Sequence, residues 1–193
     1  MYRMKHQVIQ DVCSAVGNSD FEAAKQIIKT DYPFEPPKPI DNQSRKYNET
    51  EKTKLFLRDG FIDRYSGEKL VFPPVLRLLS KLMPEEIPYH PNWKMSECHL
   101  AYWQLYPTID HIEPVARGGV NDESNWVCTS QLKNSIKSNW TLEELEWELH
   151  PPGDLNDWDG LINWYLDYTE SNPEVLESNY LHSWHRAAKK ALQ

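Results

Sequence analysis

An acid, an imidazole and two carboxamides are spaced through one short stretch, TIDHIEPVARGGVNDESNWVCTSQLKNSIKSN, which occupies residues 108–139. Asp110 is followed directly by His111, and Asn125 and Asn134 come later. Asp110 offers a hard anionic oxygen and Asn134 a neutral one, and Mg²⁺ needs only one or two such protein ligands because it keeps several waters. His111 supplies an imidazole, a side chain that is suited in general to activate water. The stretch therefore predicts metal-dependent hydrolysis.

The elements that must position these residues are two strands and a helix. Asp110 and His111 are neighbours on the first strand, so their side chains point to opposite sides of it. On the helix, Asn134 and Lys137 lie about one turn apart on one side. The pattern predicts, in chain order, a strand that ends at residues 110–111, a loop across residues 118–122, a strand over residues 126–128, and a helix capped by Ser130. We expect a strand-strand-helix unit with one wall of polar groups.

This pattern resembles the HNH endonuclease family, whose site is spelled by a D-H pair, a loop Asn and a final Asn or His on the helix. His111 to Asn125 is fourteen residues and Asn125 to Asn134 is nine, a spacing similar to that of the family. The resemblance implies an α+β, treble-clef-like ββα-metal core and products with 5′-phosphate and 3′-hydroxyl ends. It also implies a role for each residue: Asp110 and Asn134 as metal ligands, His111 as the general base, Asn125 as the residue that holds the loop, and Lys137 as a phosphate contact.

The resemblance extends upstream to DGFIDRYSGEKL, which is similar to the zinc knuckle of the family, but all four cysteines are missing. Asp63, Ser66, Ser130 and Lys133 stand at their positions. Zinc in structural sites takes Cys and His ligands, so no structural zinc is expected here. We expect an ion pair between Asp63 and Lys133, together with the aromatic-rich insertion 72–107, to replace the zinc.

The charge of the chain is distributed unevenly. The net charge is −8, yet residues 141–180 contain eleven Asp or Glu and no Lys or Arg, so the rest of the chain carries +3. Arg117, Lys133 and Lys137 are the predicted nucleic-acid contacts on that basic part. The acidic segment is expected to be a solvated helical surface, with repulsion of DNA, mimicry of DNA or a basic partner as alternatives.

The chain divides into three predicted parts. Residues 1–43 form a helical N-terminal extension and a Pro-rich linker over residues 31–43, residues 44–140 the nuclease core with the insertion 72–107, and residues 141–193 an acidic helical C-terminal extension. Within these parts the patterns predict helices over residues 2–16, 50–58, 75–83, 96–105 and 175–192, a helix from a Ser19–Glu22 capping box to Ile28, a hairpin in FIDRYSGEKLVF, and a capping box at Thr141 and Glu144.

The predicted function is metal-dependent cleavage of DNA, by nicking or by a double-strand cut made by a homodimer or with a partner protein. The cofactor is expected to be Mg²⁺, Mn²⁺ or Ni²⁺, and restriction or anti-phage defence is a role that fits. An RNA nuclease of the same chemistry and a catalytically silent adaptor remain alternatives. The sequence MYRMKHQVIQ has no hydrophobic signal region and no apolar stretch approaches a membrane span, so a cytoplasmic protein without membrane contact is expected.

Overall fold

The computed structural model describes residues 4–33 and 47–193. The chain forms two compact units, Met1–Lys38 and Pro39–Gln193. In the first unit, helices α1 (Lys5–Gly17) and α2 (Phe21–Asp31) pack against each other and bury Val8 and Ala24. The second helix was predicted to start at Ser19, but Ser19 has φ 59° and Asp20 caps the helix by accepting from the Ala23 N–H. Most of the predicted linker 31–43 lies outside the described residues.

The second unit is an α+β fold with one small sheet. Its elements, in chain order, are α3 (Glu49–Arg58), α4 (Pro73–Leu82), α5 (Ala101–Gln104), β1 (Pro107–His111), β2 (Trp126–Ser130), α6 (Gln131–Lys137), α7 (Leu142–Leu145), α8 (Ile162–Ser171) and α9 (Asn179–Ala191). The acidic C-terminal part is thus mainly helical, as predicted, and the Thr141–Glu144 capping box is confirmed.

Two of the predicted elements are present but much shorter than expected. The hairpin predicted in FIDRYSGEKLVF is reduced to one bridge between Ile62 and Lys69. On either side of this bridge the Leu70 N–H donates to the Phe61 carbonyl and the Asp63 N–H to the Glu68 carbonyl, while the Phe61 N–H donates to the Phe56 carbonyl and so joins the turn to α3. The helix predicted over residues 96–105 is only the short α5.

An aromatic core joins the helices of this unit. The Phe72 ring lies 5.5–6.0 Å, between ring centroids, from those of Phe61, Tyr165 and Trp184, in edge-to-face arrangements. Such pairs contribute beyond the area that they bury. All four side chains are at most 2% exposed, so α8 and α9 are fixed on the segment that precedes α4.

Strands β1 and β2 are antiparallel, and their register decides which residues share a face. Asp110 pairs with Val127 and His111 with Trp126. Side chains alternate along a strand, so Thr108 and Asp110 lie on one side of β1 and His111 on the other. The helix α6 follows β2 at once, and Ser130 caps it by accepting from the Lys133 N–H, as predicted.

Asp63 holds the upstream turn against the end of β2, but it does so without Lys133. Its carboxylate accepts from the backbone N–H of Tyr65, the Thr129 hydroxyl and the backbone N–H of Ser130, each at 2.9 Å. The predicted ion pair with Lys133 is wrong, because the buried carboxylate is already bound by these donors while the Lys133 ammonium lies over the Trp147 ring. Asp59 acts in the same way, accepting from the Cys128 N–H at 2.7 Å.

The described residues include no helix that is both long enough and apolar enough to cross a lipid bilayer.

We expect Asp63→Ala to lower the free energy of unfolding by about 3 kcal/mol or more, because bonds to a charged acceptor contribute about 1.5–3 kcal/mol each and buried donors are left without partners. Urea unfolding measures the change. The exposed Asp157→Ala is the matched control and is expected to stay within about 0.5 kcal/mol of the parent. Equal stabilities of the two variants would show that Asp63 does not hold the turn.

Candidate functional site

Asp110 lies in a buried cluster with a tyrosine and a lysine. Its Oδ2 accepts from the Tyr65 hydroxyl at 2.8 Å and lies 3.1 Å from Nζ of Lys137. Burial, with the charge of Asp110 added to it, raises the pKa of Tyr65 well above its ordinary value, so the phenol keeps its proton and donates. Among the described residues, no donor is bound to the other carboxylate oxygen, Oδ1 of Asp110. That oxygen is the atom which this carboxylate has to offer to a cation.

Lys137 is fully buried, and its ammonium group is bound within the protein. Besides Asp110, it donates to the backbone carbonyl of His111 at 2.7 Å. This placement argues against the predicted phosphate contact, because an ammonium with no exposed surface cannot meet a nucleic-acid backbone. Its position one turn after Asn134 instead brings it to the side of β1 on which the Asp110 carboxylate lies.

Asn134 is attached to the same side of β1 as Asp110. Its Nδ2 donates to the Thr108 hydroxyl at 2.6 Å and points to the Ile109 carbonyl at 3.4 Å. These contacts orient the amide, and no donor among the described residues binds its Oδ1. Asn134 and Asp110 therefore each present one oxygen from neighbouring positions of the α6–β1 contact, which is the donor chemistry that a hard divalent cation prefers.

His111 faces the other side of β1, where its Nε2 meets two groups with opposite demands. Asn121 Oδ1 lies 2.8 Å away and needs a donor, whereas the indole nitrogen of Trp126 lies 3.1 Å away and needs an acceptor. A single nitrogen satisfies only one of them in a given tautomer. When Nε2 carries the proton and donates to Asn121, Nδ1 is the basic nitrogen, and none of the described residues hydrogen-bonds to Nδ1.

Asn125 ties the two ends of the loop between the strands. Its Nδ2 donates to the carbonyls of Glu113 and Val120 at 2.9 and 2.8 Å, and its Oδ1 accepts from the Glu113 N–H at 2.9 Å. A Cβ on Gly119 would collide with the Glu113 carbonyl, and Gly118 has φ 102°. The Gly-Gly pair is thus needed for a loop this tight, and Asn125 is placed as a loop-holding residue rather than beside a reacting atom.

The other two predicted phosphate contacts are engaged within the protein. Arg117 Nη2 lies 3.2 Å from the Glu144 carboxylate, and its Nε donates to the Asn139 carbonyl at 3.3 Å. The Lys133 ammonium lies 5.0 Å from the centroid of the Trp147 ring. Both side chains are partly exposed, so a phosphate remains within their reach, in contrast to Lys137.

Sequence reasoning missed three residues that shape this site. Tyr65 and Asn121 contact Asp110 and His111 directly, and the Tyr47 hydroxyl donates to Asn121 Oδ1 at 3.0 Å. Asn121 lies in the predicted loop 118–122, and its place between the Gly-Gly pair and Asn125 is the one signal that could have brought it to the site. Tyr65 and Tyr47 carry no such signal, since contacts across 45 and 74 residues depend on the tertiary fold.

Comparison of the chain with protein-family models, with curated proteins and with solved structures found no match. The class that the structure defines is an α+β protein with a small antiparallel sheet. In the part of the chain that is described, no group of three or more His, Cys, Asp and Glu side chains is placed to hold a metal ion. The donor pair of Asp110 and Asn134 is not such a group, because it has two members and one of them is an amide.

We expect Lys137→Met to lower the free energy of unfolding by about 3–5 kcal/mol, because it leaves Asp110 as an uncompensated charge in a nearly buried position. Urea unfolding of the variant measures this. Lys133→Met, on the same helix and partly exposed, is the matched control. The double variant with Asp110→Asn is expected to recover part of the loss, and a lack of recovery would mean that the ion pair is not the cause.

Proposed function

We propose that the protein is a metal-dependent endonuclease of the HNH type that hydrolyses phosphodiester bonds of DNA. The observation that carries the proposal is the division of groups across β1. A histidine with one nitrogen held and the other without a partner among the described residues lies on one side, and a carboxylate and an amide oxygen lie on the other. The order of two strands and a helix, with an Asn that ties the loop between the strands, supports a ββα-metal core.

In the proposed reaction, His111 acts as the general base. Its Nδ1 takes a proton from the attacking water, while Nε2–H donates to Asn121 and stabilises the imidazolium that forms. Tyr47, bound to the same oxygen of Asn121, fixes the orientation of the amide. The attack on phosphorus then breaks the bond to the 3′-oxygen, which gives a 5′-phosphate and a 3′-hydroxyl.

Asp110 and Asn134 would hold the divalent cation, which supplies charge neutralisation at the phosphate and at the leaving oxygen. Tyr65 and Lys137 position the Asp110 carboxylate so that Oδ1 faces away from them. The positive charge of the Lys137 ammonium offsets the negative charge of Asp110. The site would therefore hold the cation weakly. Mg²⁺, Mn²⁺ and Ni²⁺ are the candidates.

DNA is the proposed substrate. Exposed basic side chains at some distance from β1 support the binding of a polyanion. Arg186 and Lys190 are exposed on α9, where they line an open cavity beside the start of α3. Phosphate contacts do not read the sugar, so RNA is the alternative substrate. A homodimer or a partner protein would be needed for a concerted double-strand cut.

A catalytically silent nucleic-acid or protein adaptor is the second candidate. The observation that favours it is the ion pair between Lys137 and Asp110, because the ammonium already compensates the carboxylate that a cation would need.

Cleavage of supercoiled plasmid tests the proposal and separates it from the adaptor. Purified protein with Mg²⁺, Mn²⁺ or Ni²⁺ is expected to nick the plasmid, and EDTA is expected to stop it. His111→Ala is expected to cut about 10²–10⁴-fold more slowly, whereas the exposed His182→Ala keeps full activity. The same panel with single-stranded and duplex RNA identifies the substrate. If the protein cuts neither DNA nor RNA with any of these metals, the nuclease proposal is refuted and the adaptor function is favoured.

The two neighbours of His111 Nε2 give a sharper test of its role. Asn121→Ala removes the acceptor that selects the catalytic tautomer, and an orienting partner of this kind contributes about 10–100-fold. Trp126→Phe removes the competing donor and keeps a ring against Tyr47, so its rate of cleavage is expected to equal or exceed that of the parent. Nicking rates at several pH values measure both. An equal loss in the two variants would show that the tautomer is not what Asn121 controls.

A further inference from the structure

A groove beside β1 is lined by residues that hydrogen-bond to groups on both sides of the candidate site. It has a volume of about 250 Å³ and is lined by Tyr47, Lys52, Tyr106, Pro107, Thr108, Ile109, Gln131 and Trp184. Thr108 accepts the bond that orients Asn134, and Tyr47 donates to the amide that holds His111. A ligand in the groove therefore contacts residues that position groups on both sides of the strand.

The chemistry of the walls combines aromatic rings with one cation and neutral polar groups. Among the described residues that line the groove there is no Asp or Glu, and Lys52 is the cation of this set. The Lys52 ammonium lies 6.0 Å from the Trp184 ring centroid, and no carboxylate of the described residues lies within ion-pair distance of it. Gln131 and Thr108 add an amide and a hydroxyl at the same wall. Such a surface favours an anion that also carries a flat, hydrogen-bonding ring.

The volume of the groove limits the size of the ligand that it can hold. Pockets for drug-sized ligands have volumes of about 300–1,000 Å³, so this groove accommodates a smaller unit. One nucleotide of a longer strand fits this description, because the neighbouring nucleotides remain in solvent. Proteins that hold single strands combine base stacking on aromatic side chains with cations that follow the backbone.

We propose that this groove binds one nucleotide of a single-stranded segment next to the scissile phosphate, with its phosphate on Lys52 and its base against the aromatic wall. The choice of ligand rests on the proposed nuclease function. The consequence is that the protein prefers substrates in which a strand is unpaired, such as a nick, a flap or a displaced strand, over an intact duplex.

Equilibrium binding of a fluorescent oligothymidylate in EDTA tests the proposal without cleavage. For single strands, the slope of log K against log [salt] changes by about 0.7 per phosphate contact. Lys52→Met is therefore expected to reduce the slope by about 0.7. Lys54→Met, an exposed position on the same helix outside the groove, is the matched control and keeps the slope of the parent. Methionine retains the apolar stem over Trp184, and thermal melting verifies that both variants fold.

Two further ligands separate the contribution of the base to binding from that of the backbone charge. An abasic oligonucleotide of the same length is expected to bind about ten-fold more weakly than the oligothymidylate, and so is an intact duplex. Equal salt slopes for the two Lys variants, or equal binding of the abasic strand, would overturn the groove. So would an oligoglutamate peptide that binds as tightly and loses affinity equally in Lys52→Met, since this identifies an acidic peptide site.

The cleavage and binding experiments test the nuclease proposal and the groove proposal separately. If the plasmid is cleaved but the salt slope is the same in Lys52→Met as in the parent, the groove does not bind the strand, and the nuclease proposal stands. Strand binding that depends on Lys52, without cleavage under any metal, would leave the groove as the site of an adaptor.

Discussion

The structure depends on a small number of buried carboxylates that accept from backbone groups, and Asp63 is the central one. It joins the turn after α3 to the end of β2, at the point where α6 begins. Because α6 is only seven residues long, its direction is set by this attachment and by the Ser130 cap. Asn134 and Lys137 then reach β1 from α6. Three hydrogen bonds to one carboxylate thus hold the turn after α3 against the end of β2.

The buried cluster around Asp110, with Tyr65 and Lys137, combines two opposing electrostatic effects. The ion pair compensates a charge that burial would otherwise make costly, and it fixes the carboxylate in one orientation. The same ammonium repels a divalent cation at the carboxylate. In the proposed enzyme, this balance would give a site that holds its metal weakly and binds it together with the phosphate of the substrate, whose negative charge would add to that of Asp110.

On the other side of β1, the constraint is directional rather than electrostatic. His111 is held between Asn121 and Trp126, and only the tautomer that donates to Asn121 leaves Nδ1 basic. Tyr47 joins this arrangement to the groove, since the same side chain lines the groove and bonds to Asn121. A nucleotide bound in the groove, as proposed, would contact Tyr47 and would thereby link substrate binding to the orientation of the Asn121 amide.

The sequence by itself determined the local elements whose signals lie within a few residues: the Ser130 cap, the Gly-Gly loop, the Thr141 capping box and the alternation that separates Asp110 from His111. These follow from short-range backbone and hydrogen-bond chemistry. Only the tertiary structure decided that Asp63 bonds to backbone rather than to Lys133, that Lys137 is buried on Asp110, and that Tyr47 and Tyr65 enter the site. The reason is physical: the partner of a charged or polar side chain depends on which donors burial brings within about 3 Å of it, and contacts across many residues leave no periodic pattern in the chain.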